Sequence, residues 1–267
     1  MDSVTIGSAS HPGQTKKDNE DYYAYFLPKN SQARKKGTLL ALADGMGGHV
    51  GGALASRTAV ETLISEYYED RGDDISVALK AAFLKANAEV FAKGLELGAP
   101  QGIGTTLTAV VLKNGRMYYA HVGDSRGYLI DRNAISQFTK DHSFVGGLVR
   151  SGAINPEDAL THPDRNIITR AVGIDEDLEV DVPPSALSLK PDQYVLLCCD
   201  GLYTVVSDAD IHATVVQQGD PSRASETLVA QANANGGPDN ITVLIARIDQ
   251  IGILANWKTR LRQHVRI

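Results

Sequence analysis

Asp44 and Asp200 each close a run of apolar residues and are each followed at once by glycine. The runs read Thr38-Leu-Leu-Ala-Leu-Ala-Asp44-Gly45 and Tyr194-Val-Leu-Leu-Cys-Cys-Asp200-Gly201. Short apolar runs bounded by turn signals read as buried strands. A carboxylate at the end of such a strand borders a low-dielectric core, where a lone charge is costly and calls for hydrogen bonds, a cation or a metal ion. Two strands built this way would carry their acids to one shared place, which is how a metal centre is made. Three further acidic sites stand at element edges. Glu20 and Asp21 precede a strand. Asp124 lies at a strand-to-strand turn in His121-Val-Gly-Asp-Ser-Arg126, and Asp239 lies before the last strand in Gly236-Gly-Pro-Asp-Asn-Ile-Thr242.

Carboxylates without clustered His or Cys form a hard oxygen site, suited to Mg²⁺ or Mn²⁺ rather than zinc. A glycine after the aspartate also lets a backbone carbonyl turn inward as a further ligand. Several carboxylates around two ions about 3.5–4 Å apart can hold a bridging water and lower its pKa. Such a water attacks a phosphate ester directly, with no covalent enzyme intermediate. Each piece alone reads as structural: Asp-Gly is a common turn dipeptide, and residues 236–240 alone make a loop. The glycine-rich run 45–52 lacks the Gly-Lys-Ser/Thr of a P-loop. The combination carries the reading.

The elements that must position these acids follow from the hydrophobic pattern. Strands are predicted over residues 4–9, 22–26, 38–44, 105–112, 116–122, 125–131, 134–138, 194–200 and 241–248, with Asn114-Gly115 as a hairpin turn. A helix is predicted from about residue 53 to 70, with Val60, Leu63, Ile64 and Tyr67 on one face. A second spans about 75–97, with Leu79, Phe83, Val90 and Phe91 inward. Helical pieces are expected near 144–151 and 156–161, and helices near 208–218 and 221–235. Many antiparallel strands with helices grouped apart from them give an α+β domain.

At 267 residues the chain can bury a large core as one domain. A composition 43% hydrophobic and 22% charged is that of a soluble globular protein. The net charge of -6, with no basic, aromatic-studded strip in the main body, argues against nucleic acid as partner. No apolar run reaches transmembrane length. Met1-Asp2-Ser3 leads into a strand-like segment, so no signal peptide is expected. Cys198 and Cys199 are adjacent within an apolar strand, which disfavours a structural disulfide and fits a reduced, cytoplasmic setting.

Taken in order, several stretches resemble the type 2C metal-dependent serine/threonine protein phosphatases, the PPM family, in their bacterial form. They are Asn19-Glu-Asp21, Ala43-Asp-Gly-Met-Gly-Gly48, Gly104-Thr-Thr106, His121-Val-Gly-Asp-Ser-Arg126, Asp141-His-Ser143, Ile168-Thr-Arg-Ala-Val-Gly173, Cys199-Asp-Gly201 and Pro238-Asp-Asn-Ile-Thr242. The match spans roughly residues 4–248. It implies a four-layer αββα sandwich, with two antiparallel sheets flanked by helices, and hydrolysis of phosphoserine and phosphothreonine in proteins by a metal-bridging hydroxide. By the same resemblance Asp44, Asp200 and Asp239 are the catalytic metal-binding acids. Asp44 would bridge two Mn²⁺ or Mg²⁺ ions, Gly45 would lend its carbonyl to one, and Asp200 and Asp239 would hold the other. Glu20 would act on the ions through a water, with Asp21 behind it. Asp124 with Asp200 would form a third metal site, while Asn240 and Thr105 would support the loops.

Two positions depart from the family pattern. Family members commonly carry a phosphate-gripping arginine where this chain has Lys16, which supplies charge without a bidentate fork. Animal relatives carry a histidine where this chain has Met46, so leaving-group protonation must come from water or elsewhere. His49 reads as a helix-entry residue, and His121 and His142 as packed or bracing residues. Residues 144–190 correspond to the variable flap beside the family's site and are the candidate for substrate selection. The chain divides into a phosphatase domain, 1–249, and a basic tail or linker, 250–267. Trp257, Leu261 and Val265 fall four apart in that tail among Lys258, Arg260, Arg262 and Arg266. That spacing suits either a basic amphipathic helix for a partner or anionic membrane or, as the base rate for termini favours, a linker or terminal helix. The partners implied are phosphorylated proteins and a cognate Ser/Thr kinase, with the enzyme a monomer. Rival readings are a phosphatase of a phosphorylated regulatory protein, a small-molecule phosphohydrolase, or a catalytically weak binding module.

Overall fold

A computed structural model describes residues 2–46, 50–99 and 102–252. His49 and the tail residues Trp257, Leu261 and Val265 therefore lie outside the described residues. Two antiparallel sheets form the middle of the molecule. The first runs in the order β1 (Ser3–His11), β11 (Ile241–Gln250), β10 (Tyr194–Cys198), β7 (Arg126–Ile130), β8 (Ile135–Gln137). The second runs β2 (Asp21–Phe26), β3 (Thr38–Met46), β5 (Leu107–Lys113), β6 (Arg116–Val122), β9 (Leu187–Ser188), with β4 (Gly104–Thr105) pairing the far end of β3.

Side-chain alternation along the strands sorts the core into three layers. In β3, Leu39, Ala41 and Ala43 face the helices α2 (Val50–Glu69) and α3 (Ile75–Glu96), against Val60, Leu63, Leu79 and Phe83. Leu40 and Leu42 point the other way, into the space between the sheets, where they meet Val195, Leu197, Leu244 and Ala246. On the far side, Leu196, Cys198, Val243 and Ile245 pack under α7 (Asp208–Gln218) and α8 (Pro221–Ala234). The result is an αββα sandwich whose strands are apolar on both faces, because both faces are covered. Caps fix the helix starts: the Asp74 carboxylate accepts from the Ser76 and Val77 amides ahead of α3, and the Ser207 hydroxyl accepts from the Asp210 amide ahead of α7. The Asn114-Gly115 turn has both residues at positive φ (53° and 69°), as the β5–β6 hairpin requires.

Three features differ from the sequence expectation. Asp44 is not the last residue of its strand, since Gly45 and Met46 continue β3 by pairing with Thr105 and Gly104. Asp200 does not end a strand but opens the short α6 (Asp200–Tyr203) with Cys199 as its N-cap. A short helix α1 (Ser31–Lys36), capped by the Asn30 side chain accepting from the Ala33 amide, carries no apolar period and so left no signal. After β8 come α4 (Phe144–Arg150) and α5 (Pro156–Ala159), which pack on each other, with the Ser143 hydroxyl capping α4.

Candidate metal centre

The alternation that builds the interlayer core also places the acids. Tyr23 of β2 and Leu40 and Leu42 of β3 line the space between the sheets, and two-residue steps from Tyr23 and Leu42 reach Asp21 and Asp44. These two are cross-strand partners. From the facing sheet the same step runs through Val195 and Leu197 to Cys199, and through Ala246 and Leu244 to Thr242. The polar end of the inter-sheet core is thus Asp21, Asp44, Cys199 and Thr242. Candidate ligand atoms of Asp21, Asp44 and Cys199 all lie within 4.8 Å of one another.

Supporting hydrogen bonds fix the backbone here and leave carboxylate oxygens available. Thr105 Oγ1 donates to the Asp44 carbonyl at 2.8 Å, and the Asp44 amide donates to Thr106 Oγ1 at 2.8 Å. The Glu20 amide donates to Asn240 Oδ1 at 2.8 Å, while Asn240 Nδ2 donates to the Pro12 and Asp18 carbonyls at 3.0 and 2.9 Å. Asn240 therefore clamps the 12–20 loop to the loop carrying Asp239. Ser56 Oγ donates to the Glu20 carbonyl at 2.6 Å. Gly45 is demanded by close approach, because a Cβ there would sit 2.2 Å from the Gly52 carbonyl oxygen. At Gly201 a Cβ would sit 1.9 Å from the carbonyl oxygen of Asn240.

Asp124 and Asp239 approach from the flanks. The Tyr203 hydroxyl donates to the Asp124 carbonyl at 3.1 Å. The Arg126 guanidinium stacks 3.8 Å over the Tyr203 ring and forks onto Asp141, with Nη2 to Oδ2 at 2.8 Å. Lys16 Nζ pairs with Asp239 Oδ1 at 2.8 Å, the two side chains being 45% and 40% exposed.

The electrostatics record the crowding. Burial, then the charges of Asp21 and Asp200, hold the Asp44 carboxyl well above the usual carboxylate range. Burial, then Asp124 and Asp239, push Asp200 up to about 8. Burial raises Asp21 and Asp124 each to about 6. Lys16 is raised, first by its hydrogen bond to Asp239, with Glu20 and Asp44 adding to it. Asp44, Asp200 and Asp239 thus share one region and feel one another's charge. Such a cluster is stable as anions only with cations added.

One buried atom makes the same demand. Asp21 Oδ2 accepts from Thr242 Oγ1 at 2.6 Å, yet Oδ1, equally buried, has no hydrogen-bond partner among the described residues. Oxygen-rich, anionic and under-neutralised, the cluster fits hard divalent ions. Burial and then Asp21 hold the Cys199 thiol strongly upward. It donates to the Asn240 carbonyl at 3.2 Å and accepts from the Thr242 amide at 3.0 Å.

The family model for protein phosphatase 2C matches residues 8–145 and 181–241. This chain belongs to the protein phosphatase 2C family. It is 34% identical over 241 residues to the serine/threonine phosphatase stp of Listeria monocytogenes, covering 89% of this chain and 93% of that protein. The crystal structure of the Mycobacterium tuberculosis serine/threonine phosphatase PstP/Ppp superposes with a TM-score of 0.81 at 34% identity, covering 92% of this chain and 99% of that one. A catalytic domain of PstP in complex with two manganese ions gives a TM-score of 0.79 at 33% identity, covering 92% and 99%. The αββα sandwich is the fold these neighbours share.

The histidines belong to a separate network within this family member. His121 is buried, bonded through Nδ1 to Thr108 and through Nε2 to the Gly123 and Lys140 carbonyls. Burial, then His142, lowers it to about 4, so it is neutral. His142 accepts from the Gly123 amide and lies 3.2 Å from Asp181. Sequence reasoning missed Thr106, Ser56, Thr242, Tyr203 and the Arg126–Asp141 pair as supports. Only a hydroxyl at an interlayer strand position, as in Thr242, could have signalled one of them.

Proposed function

We propose that this chain is a metal-dependent protein serine/threonine phosphatase working through the acids at the end of its inter-sheet core. The observation that carries this is the convergence of Asp44, Asp200, Asp239, Asp21 and Asp124 on one under-neutralised cluster, in a chain of the protein phosphatase 2C family. Mn²⁺ or Mg²⁺ suits the donor set, as two core ions with a third site at Asp124 and Asp200. Asp44 would serve both core ions, the Gly45 carbonyl would hold one of them and Asp200 and Asp239 the other, with Glu20 acting through a water and Asp21 behind it. When bound, divalent ions supply a water of lowered pKa and neutralise the charge of the phosphoryl group.

The chain's own residues do the rest. Asn240 keeps the Glu20 and Asp239 loops together. Thr105 and Thr106 hold the Asp44 backbone so that its carboxylate faces the cluster. Lys16, beside Asp239, is placed to meet a substrate phosphate. Met46 carries no proton to donate, so the leaving alkoxide takes its proton from water or from another group.

We further read a cognate Ser/Thr kinase as the source of the substrate, a monomeric enzyme, and a cytoplasmic setting that suits the free buried thiols Cys198 and Cys199. Among the described residues, no helix is long and apolar enough to cross a membrane. We take the phosphatase unit to end with β11 at about residue 250.

The test is hydrolysis of phosphothreonine, phosphoserine and phosphotyrosine peptides with Mn²⁺ and with chelator. Turnover of the first two, poor turnover of the third, and loss of all activity in chelator are expected. Activity that persists in chelator would refute the mechanism. Lys16 gives a second expectation. Lys16→Ala should raise KM for a phosphopeptide roughly three- to tenfold with a smaller change in kcat, as befits one partly exposed cation. Lys16→Arg should lower KM by restoring the bidentate fork. Steady-state kinetics in which neither variant moves KM would remove Lys16 from phosphate binding.

A further inference from the structure

Next to the acids lies a cleft of about 510 Å³ whose floor includes Asp124 and Asp200. Its outer wall is α4 with the α5 turn, which contribute Val145, Val149, Pro156 and Leu160, and its inner wall includes Tyr203. Leu160 is 43% exposed while Val145 is buried, so the wall runs from packed core to open apolar surface. The cleft is continuous with the candidate metal centre through the two aspartates.

The charges around it are not equivalent. Asp141 is held by the Arg126 fork, and Asp208 accepts from the Tyr128 hydroxyl at 3.0 Å. Lys140, Arg150 and Arg165 also line the cleft and make no ion pair among the described residues. Glu157 and Asp208 line it as well, so away from the metal-binding acids the cleft has apolar walls and a rim of mixed charge. The outer wall is also tied to the centre. Arg150 Nη1 donates to the Asp141 carbonyl at 2.7 Å, and Asp141 holds Arg126, which stacks on Tyr203, whose hydroxyl reaches Asp124. Most of this wall falls in residues 146–180, the stretch the family model leaves unmatched.

We propose that this cleft is a side-chain subsite, which receives a large apolar residue lying close in sequence to the phosphoresidue of the substrate protein. The inference rests on the phosphatase reading, because it takes the phosphoester to sit at the acids that form the cleft's floor. Continuity with that centre supplies the occupant, a segment of the same substrate chain. A leucine side chain entering the cleft leaves water for Val149, Pro156 and Leu160.

The test is a set of phosphothreonine peptides carrying Leu or Ala in turn at each of the two positions on either side of the phosphoresidue. Hydrolysis is followed by phosphate release in Mn²⁺. At one or more positions, wild type should prefer Leu over Ala by about tenfold in kcat/KM. The Leu-to-Ala ratio should fall below about threefold in the Val149→Ser/Leu160→Ser double variant, which makes the wall polar. It should fall likewise in Ala159→Phe, which fills the cleft without making it polar. Each ratio is taken within one protein, so changes in overall turnover cancel. Equal rates for Leu and Ala peptides at every position in wild type, or a ratio unchanged in both variants, would overturn the subsite while leaving the phosphatase reading intact. Failure of wild type to hydrolyse any phosphopeptide would overturn the phosphatase reading and the subsite with it.

Discussion

Asp44→Asn is expected to lower kcat for phosphopeptide hydrolysis by at least about a thousandfold, equivalent to roughly 4 kcal/mol of transition-state stabilisation. The substitution conserves shape. The hydrogen bonds from Thr105 and to Thr106 involve the Asp44 backbone and survive it, so the strand should be undisturbed. What is lost is one anionic oxygen at the centre of the cluster. The same change removes a charge that burial and Asp21 disfavour. In chelator, therefore, the variant should melt at a temperature equal to or above that of wild type. Activity and stability are expected to move in opposite directions, which separates a chemical defect from misfolding. Asp200→Asn should behave alike, since burial, Asp124 and Asp239 burden that carboxylate too. Steady-state kinetics with Mn²⁺ and thermal melts with chelator measure both arms. An Asp44→Asn enzyme within tenfold of wild type would exclude Asp44 from the chemistry.

How much of this was legible in the sequence depends on which side of the strand a residue occupies. The apolar runs ending near Asp44 and Asp200 marked β3 and β10, and the family resemblance gave the two-sheet sandwich. The layer into which each acid points was not read, although the alternation of Leu40, Leu42 and Asp44 contains it. Asp200 was misplaced at a strand end because its glycine reads as a turn, whereas Cys199 caps a helical turn there. The clamp formed by Asn240 and the pairing of Lys16 with Asp239 join segments more than two hundred residues apart. No local pattern encodes such meetings. They arise because β1 and β11 are antiparallel neighbours, with His11 opposite Ile241, which brings the loops after β1 and before β11 together. The cleft under α4 was equally hidden, since its floor comes from β7's entry and α6, and its wall from a turn-rich stretch without periodicity.

The crowding of carboxylates gives the second large effect, in the coupling of metal binding, stability and pH. Free aspartate titrates near 3.9, whereas burial and mutual repulsion raise Asp21 and Asp124 to about 6 and Asp200 to about 8. Below about pH 4 these groups are protonated in both folded and unfolded chains, and their favourable contribution is fully present. As the pH rises, the unfolded chain releases protons that the folded chain retains, and the contribution is lost through pH 6 and then pH 8. Other acids pull the opposite way: the hydrogen bond from Lys36 lowers Asp70, and backbone amides lower Asp131. The raw pH profile therefore mixes signs, and the difference between melts with Mn²⁺ and with chelator isolates the cluster. Ion binding must displace the retained protons, so stabilisation by Mn²⁺ should be small at pH 5 and grow to pH 8. At a free ion concentration about a hundred times Kd, the gain is about 2.7 kcal/mol. For a domain of this size that corresponds to a rise in Tm of roughly 5–11 °C at pH 8. The Asp44→Asn protein should lose most of this increment, because the ion then lacks its central anion. A Tm increment equal at pH 5 and pH 8, or one retained by Asp44→Asn, would mean that Mn²⁺ binds somewhere other than this cluster.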